Sequence, residues 1–353
     1  MHPDDQTFLR LFNASVPILQ APMAGVATPA LAAAVSEAGA IGGLGLGSSS
    51  VEKAQQSIRE TQKLTSRPFN VNFFCHRPAS CSDEKRRNWI DTLAEHFKAV
   101  GATPPTELNE PYPPFDENPD MLDMLVHTQP AVVSFHFGLP CKSAIEAIQG
   151  YGGTVLACAT NLDEARAAEH AGVDAIVAQG IEAGGHRGNF NAERDDEIGL
   201  HTLLSLLDAH SRLPIIAAGG IMDARSMKAA MALGAVAVQL GTAFILCPES
   251  AASDAHRAAL KSDTAYRTQV VRSISGRPAR GIRGVFQEQI EPLDPSTIPD
   301  YPVAYAAAKM LNTAAREAGD TRFSPNWAGQ GAPLARELPA CEIVRMLMNE
   351  GEA

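Results

Sequence analysis

The hydrophobic positions of this chain fall into short apolar runs, each followed by small or polar residues and then by a stretch with helical periodicity. This alternation is typical of βα units, whose parallel strands are buried on both faces. The chain is therefore expected to be an α/β protein. Eight runs predict strands at residues 17–20, 41–44, 69–73, 131–135, 154–157, 175–178, 214–217 and 236–240.

Helical periodicity fills most of the intervals between these strands. Asn161 and Asp223 are expected to be N-cap residues. Eight strands alternating with helices favour a closed (β/α)₈ TIM barrel over an open doubly wound sheet. The predicted helices span residues 29–37, 52–64, 142–149, 162–171, 201–207 and 223–233, and their expected C-terminal stops are Gly39, Gly150, Gly172 and Gly234.

Two segments interrupt the βα alternation. Residues 77–125 are too long for a simple connection and predict a helix and an ordered loop inserted after strand three. Residues 248–326 continue past strand eight and predict a small helical cap; within it, the basic segment 275–284 is expected to be a structural loop without a catalytic role. The expected organisation is a TIM-barrel domain formed by residues 1–247 and 327–353, with a cap and substrate domain at 248–326.

Composition and charge limit the possible partners. The 353 residues are 45% hydrophobic and 20% charged, which allows a large core. The net charge is −11 and the basic residues are scattered, so we expect no nucleic-acid partner. Six irregularly spaced cysteines predict free thiols and no metal site. Because no signal sequence or membrane span is indicated, we expect a cytoplasmic protein, in an oligomeric state that the sequence leaves open.

Glycines follow the last two predicted strands, where TIM barrels commonly bind a phosphate group. Gly219 and Gly220 end strand seven and would allow backbone N–H groups to approach an anion. Gly241 and Thr242 end strand eight and would complete the same site. The alternative interpretation is that these glycines only form tight βα turns.

A polar, glycine-rich loop follows strand six. Gln179 is expected to face the pocket at the end of this strand, with an amide suited to the edge of a heterocycle. Gly184 and Gly185 would permit close approach to a flat ring, and His186 would then project over that ring. A single loop histidine is otherwise often only solvated.

Polar residues also follow strands one, three and four. In the segment QAPMAG, Pro22 fixes the backbone and Met23 offers an apolar contact. Asn70 and Asn72 alternate onto the same face of strand three, with Asn72 nearer the carboxyl end. His136 ends strand four and is either a pocket residue or a hydrogen-bonded core histidine.

A late helical segment suggests an anionic substrate. Residues 300–302 predict a helix start with proline at the first position. Tyr301, Tyr305 and Lys309 follow at a spacing of four and would place two phenols and an ammonium on one face, suited to a carboxylate. Tyr112 in the insertion is a further candidate for this pocket. An ordinary amphipathic helix is the alternative.

Taken together, these segments resemble the class I nitronate monooxygenases. QAPMAG, the strand containing Asn72, AQGIEAGGHRG, AAGGIMDAR, QLGTAF, YPVAY and WAGQG occur in the family's order over nearly the whole chain. The resemblance implies a TIM barrel with a helical cap, bound FMN, and O₂-dependent oxidative denitrification of alkyl nitronates, particularly propionate 3-nitronate, through a flavin semiquinone.

The resemblance also implies residue roles. His186 would be the catalytic residue, and the sequence leaves open whether it acts protonated, stabilising negative charge, or neutral, as a base. The implied flavin contacts are Ala21, Pro22, Met23, Asn72, Gln179, Gly184, Gly185, Gly219, Gly220, Gln239, Leu240, Gly241 and Thr242. The candidate substrate contacts are Tyr112, His136, Tyr301, Tyr305 and Lys309.

Two other functions fit the same predicted fold, because fold alone does not define function. The first is an NADH-dependent FMN reductase resembling the enoyl-thioester reductases or NADH:quinone reductases. The second is a non-catalytic barrel that binds a phosphate ligand. The AGGHRG loop and the tyrosine–lysine helix favour the monooxygenase.

Overall fold

The computed structural model describes residues 5–291 and 294–349 and contains a barrel of eight parallel strands. Each barrel strand lies within two residues of its predicted position, so the predicted TIM-barrel class is confirmed. The strands are β1 (Ile18–Gln20), β2 (Gly42–Gly45), β3 (Phe69–Phe74), β4 (Val132–His136), β5 (Thr154–Ala159), β6 (Ala175–Gln179), β7 (Gly185–His186), β8 (Ile215–Ala218), β9 (Ala237–Leu240), β10 (Thr268–Val271) and β11 (Ala279–Ile282).

The barrel closes between its first two strands. The sheet order is β1-β9-β8-β6-β5-β4-β3-β2, and a parallel bridge between Leu19 and Ile41 joins the two ends. At the amino-terminal end of the strands, Phe8 and Phe12 of the N-terminal helix are buried against the barrel interior. Such rings contribute about 1.5–3 kcal/mol each through burial. This end is therefore packed, and ligands are expected at the opposite, carboxyl end.

The helices follow the predicted pattern, with corrections at some termini. The Asn161 and Asp223 side chains accept hydrogen bonds from the first turns of their helices, as predicted. Gly150 is the last helical residue and not the stop; the positive φ angle, +90°, occurs at Gly152. The helices are α1 (Asp5–Phe12), α2 (Pro29–Glu37), α3 (Val51–Leu64), α4 (Asp83–Ala99), α5 (Pro119–Thr128), α6 (Lys142–Gly150), α7 (Leu162–Ala171), α8 (Leu200–His210), α9 (Ala224–Ala232), α10 (Asp254–Leu260), α11 (Val303–Glu317) and α12 (Ala340–Met348).

The sequence predicts a purely helical cap after β9, and this is wrong in part. Strands β10 and β11 of this segment form an antiparallel sheet with β7. The insertion after β3 contains the expected helix, α4, and also α5, which the sequence pattern does not predict. Trp89 and Phe97 of α4 pack with Phe286 and Leu311, so the insertion and the later segment share a hydrophobic cluster. The domain boundaries at 248 and 326 stay a prediction.

Helix α11 begins later than the sequence predicts. Pro302 is its N-cap residue and Val303 its first residue, so proline does not occupy the first helical position. In the described part of the chain, no helix has both the length and the apolar character to cross a membrane.

Candidate active site

A cavity of about 540 Å³ opens at the carboxyl ends of the barrel strands. Its size is within the usual range for cofactor and ligand pockets. The structure brings every predicted site residue to this cavity, while the individual roles of these residues stay predictions. The cavity lining includes Ala21, Pro22, Met23, Asn72, Tyr112, His136, Gln179, Gly184, Gly185, His186, Gly219, Gly220, Gln239, Leu240, Gly241, Thr242, Tyr301, Tyr305 and Lys309.

The backbone of His186 is held from two sides. As part of β7, His186 is paired with Ala279 of β11 in the antiparallel sheet. Its carbonyl oxygen accepts hydrogen bonds from Gln179 Nε2 at 3.0 Å and from His136 Nε2 at 3.2 Å. His136 therefore lines the cavity and also donates a hydrogen bond through Nε2. These contacts fix where the imidazole of His186 enters the cavity.

The imidazole of His186 has one polar neighbour and several aromatic ones. Its Nε2 lies 2.9 Å from Ser275 Oγ. Ring centroids of Phe137, Tyr301, Tyr305 and Trp327 lie 5.3–5.7 Å from its own centroid. Loss of solvation lowers the pKa of His186 to about 3, with smaller contributions from His136, Arg277 and Lys309. The ligand-free site therefore holds His186 neutral at pH 7.

A buried arginine fixes the end of β6 to the loop after β7. Arg187 is fully buried, pairs with Asp195 at 2.9 Å, and donates to Gln179 Oε1 at 3.1 Å. The same Oε1 atom accepts from the Gly188 N–H at 2.8 Å. Since Gln179 Nε2 already donates to His186, one Nε2 hydrogen is left for a ligand among the described contacts. The Gln179 side chain thus holds the loop residues 186–188 at the end of β6, a role that the sequence analysis did not identify.

The glycine-containing ends of β8 and β9 have the geometry of an anion site. Gly219 and Gly220 have φ angles of +130° and +69°, which side-chain-bearing residues rarely adopt. A Cβ atom on Gly241 would meet only ordinary contacts, so the protein alone does not require glycine there. Thr242 Oγ1 accepts from the Gly329 N–H at 3.0 Å, which leaves its hydroxyl proton free to donate. These groups are suited to hold the phosphate group of a ligand.

Contacts within the protein explain the residue type at Asn72 and, separately, at Gly184. Asn72 Nδ2 donates to the Ser134 carbonyl and hydroxyl at 3.1 and 2.9 Å, which leaves Asn72 Oδ1 to accept from a ligand. Asn70 shares its face of β3 but is fully buried below the cavity, and its amide has no partner among the described residues. A Cβ atom on Gly184 would collide with the backbone of Gly329, so this glycine is needed for packing of the later chain.

The predicted tyrosine–lysine group is assembled at one wall of the cavity. The hydroxyls of Tyr112 and Tyr301 are hydrogen-bonded at 2.8 Å. The Lys309 ammonium lies 4.4 Å from the ring centroid of Tyr305 and 5.3 Å from that of Tyr112, distances typical of cation–π contacts. Burial raises the pKa of Tyr301 well above its ordinary value and lowers that of Lys309. Both phenols of the Tyr112–Tyr301 pair are therefore neutral; one donates to the other, and the second keeps its proton for a ligand.

Sequence reasoning missed two residues of segment 275–284, to which it assigned no catalytic role. Ser275 contacts His186, and Arg277 stacks on Phe137 with its guanidinium carbon 4.4 Å from the ring centroid. Arg277 is 4% exposed and forms no ion pair within the described residues. Burial lowers its pKa to about 10. The arginine-rich composition of the segment was the only signal.

Four residues that line the cavity were not predicted either: Ser134, His256, Asn312 and Arg316. Asn312 and Arg316 extend the polar side of α11 beyond Lys309, so continuing the helical spacing along this segment would have identified them.

Comparison with known proteins identifies the family. The family model described as nitronate monooxygenase matches residues 6–350. The chain is 52% identical to a nitronate monooxygenase of Pseudomonas aeruginosa, over 97% of this chain and 98% of that protein. It is also similar to the solved structure of a nitroalkane oxidase from Streptomyces ansochromogenes, with 39% identity, a TM-score of 0.87 and 95% of each chain covered.

A second solved structure is also similar to this chain. FabK from Thermotoga maritima is 29% identical, with a TM-score of 0.73 and coverage of 97% of this chain and 94% of that chain. The family model nevertheless covers nearly the whole sequence, and the higher identities are to proteins named for nitronate or nitroalkane oxidation. The chain therefore belongs to the nitronate monooxygenase family, a family of oxidoreductases.

Proposed function

We propose that this protein is an FMN-dependent nitronate monooxygenase that uses O₂ to denitrify alkyl nitronates oxidatively, with propionate 3-nitronate as a substrate. The main support is that three groups lie at one cavity: the anion site at the ends of β8 and β9, the neutral His186, and Lys309 with the tyrosines around it. These elements come from distant parts of the chain, and a barrel binding only a phosphate ligand would not need all three.

The cofactor is assigned to the side of the cavity formed by β3, β6, β8 and β9. The backbone at Gly219 and Gly220 and the Thr242 hydroxyl would hold the phosphate. Asn72 Oδ1 and the remaining Nε2 hydrogen of Gln179 would contact the ring system. When bound, FMN would supply the electron acceptor for the substrate and the route to O₂.

The substrate is assigned to the wall formed by α11 and the insertion. The Lys309 ammonium, held against the Tyr305 ring, would bind a carboxylate, while the buried charge of Arg277 favours an anion in the cavity. The whole chain is strongly acidic, so attraction of an anion depends on these local groups. The aromatic residues around His186 would exclude water from the reacting part of the substrate.

Cofactor identification and aerobic turnover test this proposal. The purified protein should be yellow, release FMN on denaturation, and convert propionate 3-nitronate with O₂ consumption and nitrite formation. Protein that neither contains nor takes up FMN would refute the proposal and favour the phosphate-binding barrel. FMN-loaded protein without nitrite formation, but with rapid NADH oxidation, would favour the reductase.

A further inference from the structure

Ser275 has two hydrogen-bonding neighbours that together fix the direction of its proton. It is fully buried, and its Oγ lies 3.1 Å from the Arg277 carbonyl oxygen and 2.9 Å from His186 Nε2, while the Arg277 N–H donates to it at 3.3 Å. A carbonyl oxygen only accepts, and no other described residue donates to this one, so a hydroxyl that satisfies it directs its proton at Arg277. Ser275 Oγ then accepts from His186, which requires the proton of the neutral imidazole to be on Nε2.

The remaining ring nitrogen of His186 is directed to the cavity. No residue in 5–291 or 294–349 hydrogen-bonds to Nδ1, and Nδ1 is not among the sealed, unpartnered atoms of the interior. The rings of Tyr301 and Trp327 pack against the imidazole, and within the described chain Ser275 is its single hydrogen-bonding partner. With the proton on Nε2, Nδ1 presents a lone pair to a bound ligand.

We propose that Ser275 is a positioning residue that holds His186 in the Nε2–H tautomer, so that Nδ1 is the proton acceptor toward a bound nitro compound. This inference rests on the proposed function. For a neutral nitroalkane, the C–H bond next to the nitro group breaks, the proton forms an N–H bond at Nδ1, and the electron pair stays on the substrate as its nitronate. The step is redox-neutral and needs no further reactant.

A matched pair of variants separates this role from general packing. S275A removes the acceptor at His186. S273A removes another fully buried hydroxyl, two residues earlier in the chain. The partner of this hydroxyl is the Phe286 carbonyl oxygen at 3.4 Å. Both variants should be prepared with FMN bound, and their flavin content and thermal unfolding should be compared with the unmodified protein.

The direct measurement is the tautomer of His186. In protein labelled with ¹⁵N-histidine at pH 7, long-range ¹H–¹⁵N correlation should show the Nε2–H form for the His186 signal, assigned by its loss in H186N. S275A should show a mixture of tautomers, and S273A should match the unmodified protein. A His186 signal of the Nδ1–H form in the unmodified protein, or an unchanged tautomer in S275A, would overturn the proposal. The first of these results depends on neither serine variant.

Kinetics provides the second readout. In S275A, kcat/KM for nitroethane should fall about tenfold, since one hydrogen bond that orients the base is lost. Turnover of the preformed ethylnitronate, which needs no C–H cleavage, should fall by about twofold or less. Equal losses on both substrates would contradict the positioning role. Absence of nitronate oxidation in the unmodified protein, with the Nε2–H tautomer present, would instead refute the proposed function alone.

Discussion

Replacement of Arg277 by methionine tests whether its buried charge selects an anionic ligand. The guanidinium carbon lies 4.4 Å from the centroid of Phe137, which lies 5.6 Å from that of His186. The charge is therefore at most about 10 Å from the His186 ring. Taking that ring as the position of a bound anion, the attraction is about 1.7 kcal/mol at an effective dielectric constant of about 20, and about 0.4 kcal/mol in a water-like medium.

These energies predict that R277M raises the Kd or KM of an anionic ligand by about 2-fold to about 20-fold. At the same distance and dielectric constant, the loss of this charge raises the pKa of His186 by about one unit from about 3, so His186 stays neutral at pH 7. A change in histidine protonation therefore does not explain the expected loss of affinity.

The assay compares propionate 3-nitronate with a neutral nitroalkane in R277M, R277K and the unmodified protein, all loaded with FMN. R277K keeps the charge and should retain most of the preference for the anion. Circular dichroism and flavin content control for folding, because Arg277 also donates to the Asn189 carbonyl oxygen. Equal weakening of both ligands by R277M, or an R277K variant as impaired as R277M, would refute the electrostatic reasoning.

Three further perturbations follow from the site and its buried histidines. H186N should leave FMN bound but lower turnover by about a hundredfold or more; steady-state activity equal to that of the unmodified protein would remove His186 from the mechanism. K309M should raise KM for propionate 3-nitronate more than for ethylnitronate, and an identical change for both would argue against a carboxylate contact. Burial lowers the pKa values of His76, His136 and His256 to about 4, below the ordinary value of 6.5. Between pH 4 and pH 6.5 the unfolded chain therefore binds more protons than the folded protein. The free energy of unfolding falls as the pH decreases through this range. Urea titrations at pH 5 and 6 should give a free energy of unfolding higher at pH 6 by about 1 kcal/mol per histidine, and H76Q should reduce this difference; a pH-independent value would be inconsistent with neutral buried histidines.

The barrel was predictable because its determinants are local. Each buried parallel strand is a short apolar run, and the helices carry their own caps, as at Asn161 and Asp223. The rule that barrel ligands bind at the carboxyl ends of the strands then placed distant segments at one mouth. This is why residues as far apart as Met23 and Thr242 were expected at the same cavity.

The contacts around His186 were not predictable, because they depend on long-range pairing. Strand β7 has two residues, too few for any periodicity, and its partner Ala279 lies more than ninety residues later. Ser275 is a single small polar residue in a buried turn, and only the packing of β10 and β11 on the barrel brings it to the imidazole. Helix α5 begins with Asn118 at the N-cap position and Pro119 at the first helical position, but it was missed because these residues continue a proline-rich loop.

Anaerobic mixing of the FMN-loaded protein with propionate 3-nitronate, and separately with NADH, tests the central claim most directly. The account predicts that the nitronate changes the flavin absorbance fast enough to support aerobic turnover, whereas NADH leaves the flavin oxidised over the same period. Rapid bleaching by NADH together with no response to the nitronate would contradict the account.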